Sequence, residues 1–485
     1  MIEPERYAQL LEELLNGIDA GEFQNTDSLP AWYTYAHLSA LLRFAGQVDG
    51  GKELYERIYD QTVAYGEQCI RNKRKNGEKM KVAFLVISAA EWTTDELYQL
   101  MDQNDQIEPY IAVCPLNDRD AEDALLSYQK TYRFFEEKGY CVKKTYAEET
   151  GTVITWEQNG GVPDLIVHLT PWNESLLPHY HIDQLPACCL NCYIPYGFYT
   201  ANNKDGRYVV QFVYNKEFVN LNWRIYADSR RTLKGYQTYG LLHGKNVRCF
   251  GYCKMDYFYK KNVYSEDEIR RLWKIPEGMD PAARKKVIIA PHHSIGDDEV
   301  VSFSTFHKNL YFWIYLAKKY ADQIHFVLKP HPNLRTKSIR YGLFRSYDAY
   351  DAYIREWEAL ANTRFVDQEE YLDLFETSDG MIMDSASFLA EYMYVDKPLL
   401  FLTKEEQAFS ELGEMMLEGY AKAPGEDYEA IDQFLQNVIL GGQDQWKEKR
   451  AEIRNKELDY QKETGCGAGE NIYWDIVRGF GFKTS

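Results

Sequence analysis

Apolar and polar positions alternate along this chain in two textures. From residue 5 to 70 the apolar residues recur at helical spacing. Tyr7, Leu10, Leu11, Leu14, Leu15 and Ile18 fall on one face, a second pattern runs from Trp32 to Phe44, and a third covers Leu54 to Ile70. At Lys81 the texture changes. The run VAFLVI that follows is apolar throughout and of strand length, as expected of a strand covered on both faces. A helical segment (Asp95 to Met101), a strand between Pro109 and Pro115, a helix over 121–138 and a third strand from Pro163 to Leu169 come next. Further strands are predicted at Cys188 to Ile194 and Val247 to Gly251. Strand, helix, strand at this rhythm predicts a doubly wound parallel sheet.

The rhythm restarts at Lys286. Strands are predicted at Lys286–Ala290, Ile324–Lys329, Arg364–Val366, Gly380–Met383 and Pro398–Leu402, with a helix from Phe303 to Tyr320. The segment Tyr257 to Arg284, with Pro276 and Pro281, reads as a hinge. The expected fold class is therefore α/β, with two Rossmann-like domains facing across a cleft and an N-terminal helical extension. The expected boundaries are 1–76 for the extension, 77–280 and 281–455 for the two domains, and 456–485 for a C-terminal tail. The stretch 443–460 is charged and helical, and the glycines from Gly465 to Gly469 end it.

Composition narrows the function classes. At 485 residues and 45% hydrophobic content, the chain has material for more than one core. Fifty-five basic against 74 acidic side chains leave a net charge of −19, which argues against nucleic acid as a partner. One local run, Arg71 to Lys81, is cationic. It reads as a solvated linker, with a peripheral contact to anionic lipid as the other reading. No charged-then-apolar leader opens the chain and no stretch reaches the ~18 apolar residues of a membrane span. The expected location is cytoplasmic, at most peripheral at the inner face of the membrane. Nine cysteines do not make a disulfide framework. Cys189 and Cys192 form a CxxC beside Cys188, but no second CxxC follows at zinc spacing, and the thiols read as buried strand residues, as do Cys249 and Cys253.

Ligands of open α/β sheets bind beyond the carboxyl ends of the strands. In the second series these positions are polar. Pro291-His292-His293-Ser294 follows the first strand, KPHP (Lys329 to Pro332) closes the second, and Asp384-Ser385-Ala386-Ser387 follows the fourth and leads into a predicted helix from Phe388 to Tyr394. A helix N-terminus with free N–H groups suits a diphosphate, and imidazoles with a lysine beside it neutralise charge growing on a leaving phosphate. The prolines around His331 restrict its backbone. Taken singly, each feature has a plainer explanation, as an N-cap, a loop histidine or a strand end. Three polar strand ends on one sheet edge point instead to a shared anion site.

The KPHP run, followed by Tyr371-LDLFETSDGMIMDSASFLAEYMYVDKPLLFL, resembles the CDP-glycerol glycerophosphotransferases of teichoic acid and capsule synthesis. That family has a K-x-H-P motif, then a D-Y-S-S-type motif, an aromatic helix and a K-P-strand. Gly251-YCKM-Asp256 is similar to its G-x-P-R-x-D element. The resemblance spans residues 80 to 440 and is strongest from 287 to 402. It implies a GT-B architecture and a CDP-alditol donor held by Lys329, His331, Asp384, Ser385, Ser387 and Lys254. It further implies a polymer or lipid-linked hydroxyl acceptor and release of CMP, with His292, His293 and His331 as catalytic candidates. No cofactor and no metal are implied. The chain departs from the family in three places. Ala386 replaces one serine, and Cys253 and Lys254 replace Pro and Arg. The first-domain stretch Cys192 to Tyr199 lacks the family's histidine, so either the base has moved, to His292 or His293 with His168, His179 and His181 in reserve, or the acceptor and chemistry differ. Of the adjacent histidines, one is expected to face the cleft and the other to pack sideways or cap the following loop. Two other readings stand beside this one: a GT-B glycosyltransferase using a nucleotide sugar, and a non-catalytic binding member of the fold.

Overall fold

The computed structural model describes residues 3–25, 28–117, 121–260, 262–296, 300–367 and 371–482. The chain divides into two compact units. The first comprises Met1–Gly197, Val210–Lys254 and Tyr460–Ser485; the second comprises Phe198–Val209 and Met255–Asp459. The fold class is α/β, as the alternating texture predicts.

The first unit is built on seven parallel strands: β1 (Met80–Val86), β2 (Ile107–Val113), β3 (Val142–Lys144), β4 (Leu165–His168), β5 (Leu190–Tyr193), β6 (Arg224–Ala227) and β7 (Val247–Cys249). Their order is β3-β2-β1-β4-β5-β6-β7. β1 is central and buried along nearly its whole length, which is why its sequence is apolar without alternation. Val82, Phe84 and Val86 join a core with Ile111, Val113, Leu165 and Val167.

Three helices, α1 (Pro4–Asp19), α2 (Tyr35–Ala45) and α3 (Gly51–Lys75), belong to this unit. Helix α3 lies so close to β5 that a Cβ on Gly66 would sit 2.5 Å from Leu190 Cδ2. Tyr55 and Tyr59 on α3 donate to the carbonyls of Asn220 (2.6 Å) and Asn222 (2.7 Å), just before β6. The first part of the cationic run is not a linker but the last turn of α3, where side chains are engaged, while residues 75–79 are exposed. Lys73 pairs with buried Asp164 at 2.5 Å, Arg71 with Glu67 at 2.6 Å, and Arg74 lies 3.8 Å over the Phe482 ring. Those partners occupy cations that the anionic-lipid reading needs. Among the described residues no helix is long and apolar enough to cross a membrane.

The segment expected as a tail carries α4 (Ala468–Gly479), whose Ile472, Ile476 and Val477 complete the core against β1 and β2. The spacing of those residues is helical, so its burial follows from an apolar face.

The second unit has six parallel strands: β8 (Lys285–Ala290), β9 (Ile324–Leu328), β10 (Thr363–Phe365), β11 (Gly380–Met383), β12 (Leu399–Thr403) and β13 (Ala421–Pro424). The order β10-β9-β8-β11-β12-β13 has one consequence for function. The chain steps outwards from β8 through β9 to β10, then returns to place β11 on the other side of β8. The strand order therefore switches between β8 and β11, where ligands of such sheets bind. Val287, Ile289, Phe326, Leu328, Ile382 and Leu400 pack under helix Phe306–Lys319, as the second apolar series predicts.

The helix predicted from Phe388 to Tyr394 is not formed. Two short 3-10 turns, Ala386–Phe388 and Tyr392–Val395, stand in its place. Hydroxyls from elsewhere in the unit take the carbonyls an α-helix would use: Thr200 Oγ1 donates to Ala386 O at 2.7 Å and Tyr420 to Leu389 O at 3.1 Å.

Candidate functional site

The register of β8 brings the site together. Ala290 pairs with Met383 and Ile289 with Leu328, so the residues just past all three strand ends meet on one edge. His331 N–H donates to Pro291 O at 3.0 Å and Lys329 N–H to Ile289 O at 2.8 Å, tying the KPHP run to the end of β8. On the other side Asp384 accepts the His292 N–H at 2.6 Å.

The three imidazoles converge. Ring centroids of His292 and His293 lie 4.2 Å apart, His293 and His331 4.1 Å, and His292 and His331 5.4 Å. Adjacent His292 and His293 thus both join the cluster, and His292 in addition caps the following loop through Ser294, as one of the two was expected to do. Past Ala290 the backbone leaves the pleat and turns on itself, with Ser294 N–H on His292 Nδ1 (3.2 Å) and Ile295 N–H on His293 O (2.9 Å). Strand alternation no longer applies there.

Ring nitrogens of the trio lie within 4.8 Å of one another, close enough to share one small ligand. The hydrogen bonds decide what kind. His292 Nδ1 accepts the Ser294 N–H and lies 2.7 Å from the Ser294 hydroxyl, which itself accepts the Phe303 N–H at 2.9 Å. The hydroxyl proton is thus left to point at Nδ1, and the His292 ring proton resides on Nε2. His331 Nδ1 likewise accepts the Asn333 N–H at 3.2 Å, which places its proton on Nε2. Two of the three rings hence present N–H donors, suited to phosphate oxygens, and not the free lone pairs that a metal needs. Burial, with the neighbouring histidines and Lys404, holds His292 well below the usual imidazole range. Burial, His293 and Lys329 push His331 down to about 3.

Asp384 is placed differently from the expectation that it binds donor. Its oxygens are occupied by the His292 N–H, the Thr305 N–H and the Thr305 hydroxyl (2.9 Å), so it fastens the β8 loop to the start of helix Phe306–Lys319. It is a positioning residue. Burial raises its pKa to about 6, against the lowering effect of those donors. Lys329 is nearly buried, with Nζ on Asp367 O at 2.9 Å and 5.5 Å from the Tyr371 ring centroid. Ser385 Oγ caps the first 3-10 turn by accepting the Ser387 N–H at 3.3 Å, and Ser387 is exposed. A three-residue turn offers far less of an N-terminal dipole than the helix expected there.

Lys404, just past β12, was not among the predicted residues, yet its charge acts on both His292 and Asp384. The strand-end rule that found the histidines would have found it too.

Lys254 belongs to the first unit, in the turn Cys253–Tyr259. Before it, Gly251 has φ 92 and packs against Tyr460, 3.0 Å from where a Cβ would stand, a conformation other residues rarely adopt. The reserve histidines of this unit are held by its own fold. His168 is buried, donates to Asn191 Oδ1 (3.0 Å) and is pushed down to about 4 by burial. His179 Nε2 accepts the Trp156 N–H, and His181 Nε2 donates to Leu176 O. Cys189 and Cys192 are buried, with thiol pKa values raised by burial, and no disulfide forms among the described residues.

Known proteins give a consistent picture. The family model "CDP-Glycerol:Poly(glycerophosphate) glycerophosphotransferase" matches residues 237–473. No curated protein matches the chain. Among solved structures, a variant of the wall teichoic acid polymerase TagF soaked with CDPG aligns at a TM-score of 0.53 and 13% identity, over 88% of this chain and 95% of that one. Another TagF variant aligns at 0.52 and 13% identity, over 99% and 100%. A UDP-N-acetylglucosamine 2-epimerase aligns at 0.50 and 13%, over 84% and 98%. At such identity these structures speak for the fold, which is of the GT-B type. Residues 237–473, which hold the KPHP and DSAS motifs, match the model of the CDP-glycerol:poly(glycerophosphate) glycerophosphotransferase family, as those motifs predict, and the chain is a transferase of that type.

Proposed function

We propose that the protein transfers a glycerol-phosphate or related alditol-phosphate group from a CDP-activated donor to a hydroxyl of a cell-surface polymer or lipid-linked acceptor at the cytoplasmic face, releasing CMP. The observation that carries this reading is the convergence of His292, His293 and His331 at the switch point of the second sheet, with Nε2–H donors on two of them.

In the reaction an acceptor oxygen attacks the β-phosphorus of the donor. A new phosphoester bond forms as the phosphoanhydride bond breaks, and its electron pair leaves on the phosphate of CMP. His292 and His331 donate to the diphosphate oxygens, where the charge of the leaving group grows, and Lys329 and Lys404 supply positive charge beside them. The acceptor proton needs a base. His292 is disqualified because its Nδ1 is engaged by Ser294. His293 takes that role in this reading, replacing the first-domain histidine of the family.

The test is incubation of the purified chain with CDP-glycerol, CDP-ribitol and a UDP-sugar, with and without a polyol-phosphate acceptor and with and without EDTA. Expected are CMP and a phosphodiester product from a CDP-alditol, insensitive to chelation. A glycosidic product from the UDP-sugar moves the assignment to a glycosyltransferase, and no turnover of any donor overturns the enzymatic reading.

A further inference from the structure

The outer face of helix Phe306–Lys319 breaks the pattern of a surface helix. Its inner face, with Leu310, Trp313, Ile314 and Ala317, is buried in the core of the second unit. The opposite face of such a helix is ordinarily polar. Here Tyr311 and Tyr315, one turn apart, are 78% and 54% exposed, and the Phe312 ring stacks on that of Tyr315 at 5.9 Å. Tyr428, 42% exposed on the neighbouring helix Tyr428–Gln433, packs on Phe312 with ring centroids 4.3 Å apart. Its hydroxyl donates to Lys308 O at 2.6 Å, which fixes the ring in place. The four rings make one continuous seam. At ~200 Å² per aromatic side chain, the three tyrosines leave about 350 Å² of it in water. A soluble chain keeps an apolar patch of that size for a partner.

Charge says which partner. The helix carries Lys308, Lys318 and Lys319 and no acidic residue, whereas the segment 426–433 beside it carries Glu426, Asp427, Glu429 and Asp432 and no basic one. Lys308 pairs with Glu426 and Lys319 with Asp432 (2.7 Å), which clamps the two strips side by side. Asp427 caps its own helix by accepting the Ala430 N–H at 3.0 Å. Lys318 and Glu429, both exposed, are left over. Among the described residues Lys318 has no ion-pair partner, and the Glu429 carboxylate accepts from the Gln433 amide alone, at 3.0 Å. A basic and an acidic strip joined along an aromatic seam are complementary to their own copy turned by 180°.

We infer that this face of the second unit is the interface of a homodimer. Tyr311, Phe312, Tyr315 and Tyr428 pack about a two-fold axis, and Lys318 pairs with Glu429 of the partner subunit. The seam is the apolar centre and the charged strips are the rim. The seam falls short of the ~800 Å² per partner of a standard interface, so the dimer is of the weak class, with a dissociation constant in roughly the micromolar range. It does not depend on which donor the histidine site takes.

The experiment is sedimentation velocity on the full chain over concentrations on the order of 1–200 µM, which span the expected constant. The salt is held at ~0.15 M, where repulsion between two chains of net charge −19 is screened beyond ~8 Å. Wild type should pass from monomer to dimer within that range. Tyr311→Ser with Tyr315→Ser removes the centre of the seam and should raise the dissociation constant at least about 30-fold. Lys318→Glu exchanges two attractions for two repulsions. At about two- to fivefold per exposed pair, it should weaken the dimer about tenfold. Adding Glu429→Lys to Lys318→Glu reverses both charges and should return the constant to within about threefold of wild type. All four positions are exposed, and melting curves confirm each fold. Wild type that stays monomeric at the highest concentration overturns the inference. A dimer that survives the double serine variant lies on another face and overturns it as well. A charge swap that fails to restore association refutes the two-fold pairing.

Discussion

Replacing His331 by Gln, Asn and Ala separates a hydrogen-bond donor from a general acid. The Asn333 N–H on Nδ1 puts the ring proton on Nε2, and the pKa of about 3 means the ring is neutral when the site is empty. Making it an imidazolium at pH 7 would cost about 5 kcal/mol, a gap of four pH units at ~1.36 kcal/mol each. A neutral donor costs nothing to prepare, so His331 should act through Nε2–H. Loss of one such donor typically slows transfer about 100- to 1000-fold, or ~2.7–4 kcal/mol. The amide nitrogen of Gln reaches the position of Nε2, whereas that of Asn reaches only the position of Nδ1. His331→Gln should therefore keep transfer within about tenfold of wild type, while His331→Asn and His331→Ala lose the full factor. The assay is CMP release at saturating CDP-glycerol, with donor affinity measured separately and melting curves confirming the fold. If Gln is as slow as Ala, the ring acts as an acid and the donor argument is wrong.

Two further outcomes follow from the shell around the trio. Ser294→Ala deletes the hydroxyl that serves His292 Nδ1 and accepts the buried Phe303 N–H. It should cost about 1–3 kcal/mol, read as a melting temperature lower by several degrees, and an unchanged melt would show that the bridge does not hold the loop. For pH, the raised pKa of about 6 leaves Asp384 a carboxylate only above that value, where it can accept from His292 and Thr305 together. Log kcat/KM should fall as pH drops through about 6. Lys404 lowers the Asp384 pKa, so Lys404→Gln should move that limb upwards, and a limb that does not shift would mean the titrating group is another one.

What was legible in the sequence was what one strand carries by itself. β1, β8 and β9 each carry a buried, mostly apolar run, so they stand out, and the polar residues past each run mark the sheet edge. That rule reached His292, His293, His331 and Asp384 without a structure. Three strands of few residues, β3, β6 and β13, went unread because a short run does not separate from loop. β13 also alternates buried and exposed positions, as suits the edge of its sheet.

What was not legible depends on partners distant in sequence. The helix expected after Ser387 has helical spacing, yet Thr200 and Tyr420 take its carbonyls, and neither is near it in the chain. The role of Asp384 has the same origin. An aspartate at a strand end reads equally as a ligand or a fastener, and only the Thr305 and His292 donors, 79 and 92 residues away, decide for the fastener. The proton positions of the trio are a further step removed, since Ser294 and Asn333 fix them through backbone turns that no spacing rule encodes. Residue type thus locates the site, while the assignment of donor, base and fastener comes from bonds within single loops and across strand ends. A substitution that leaves all three histidines in place but alters those bonds, such as Ser294→Ala, should accordingly disturb the chemistry.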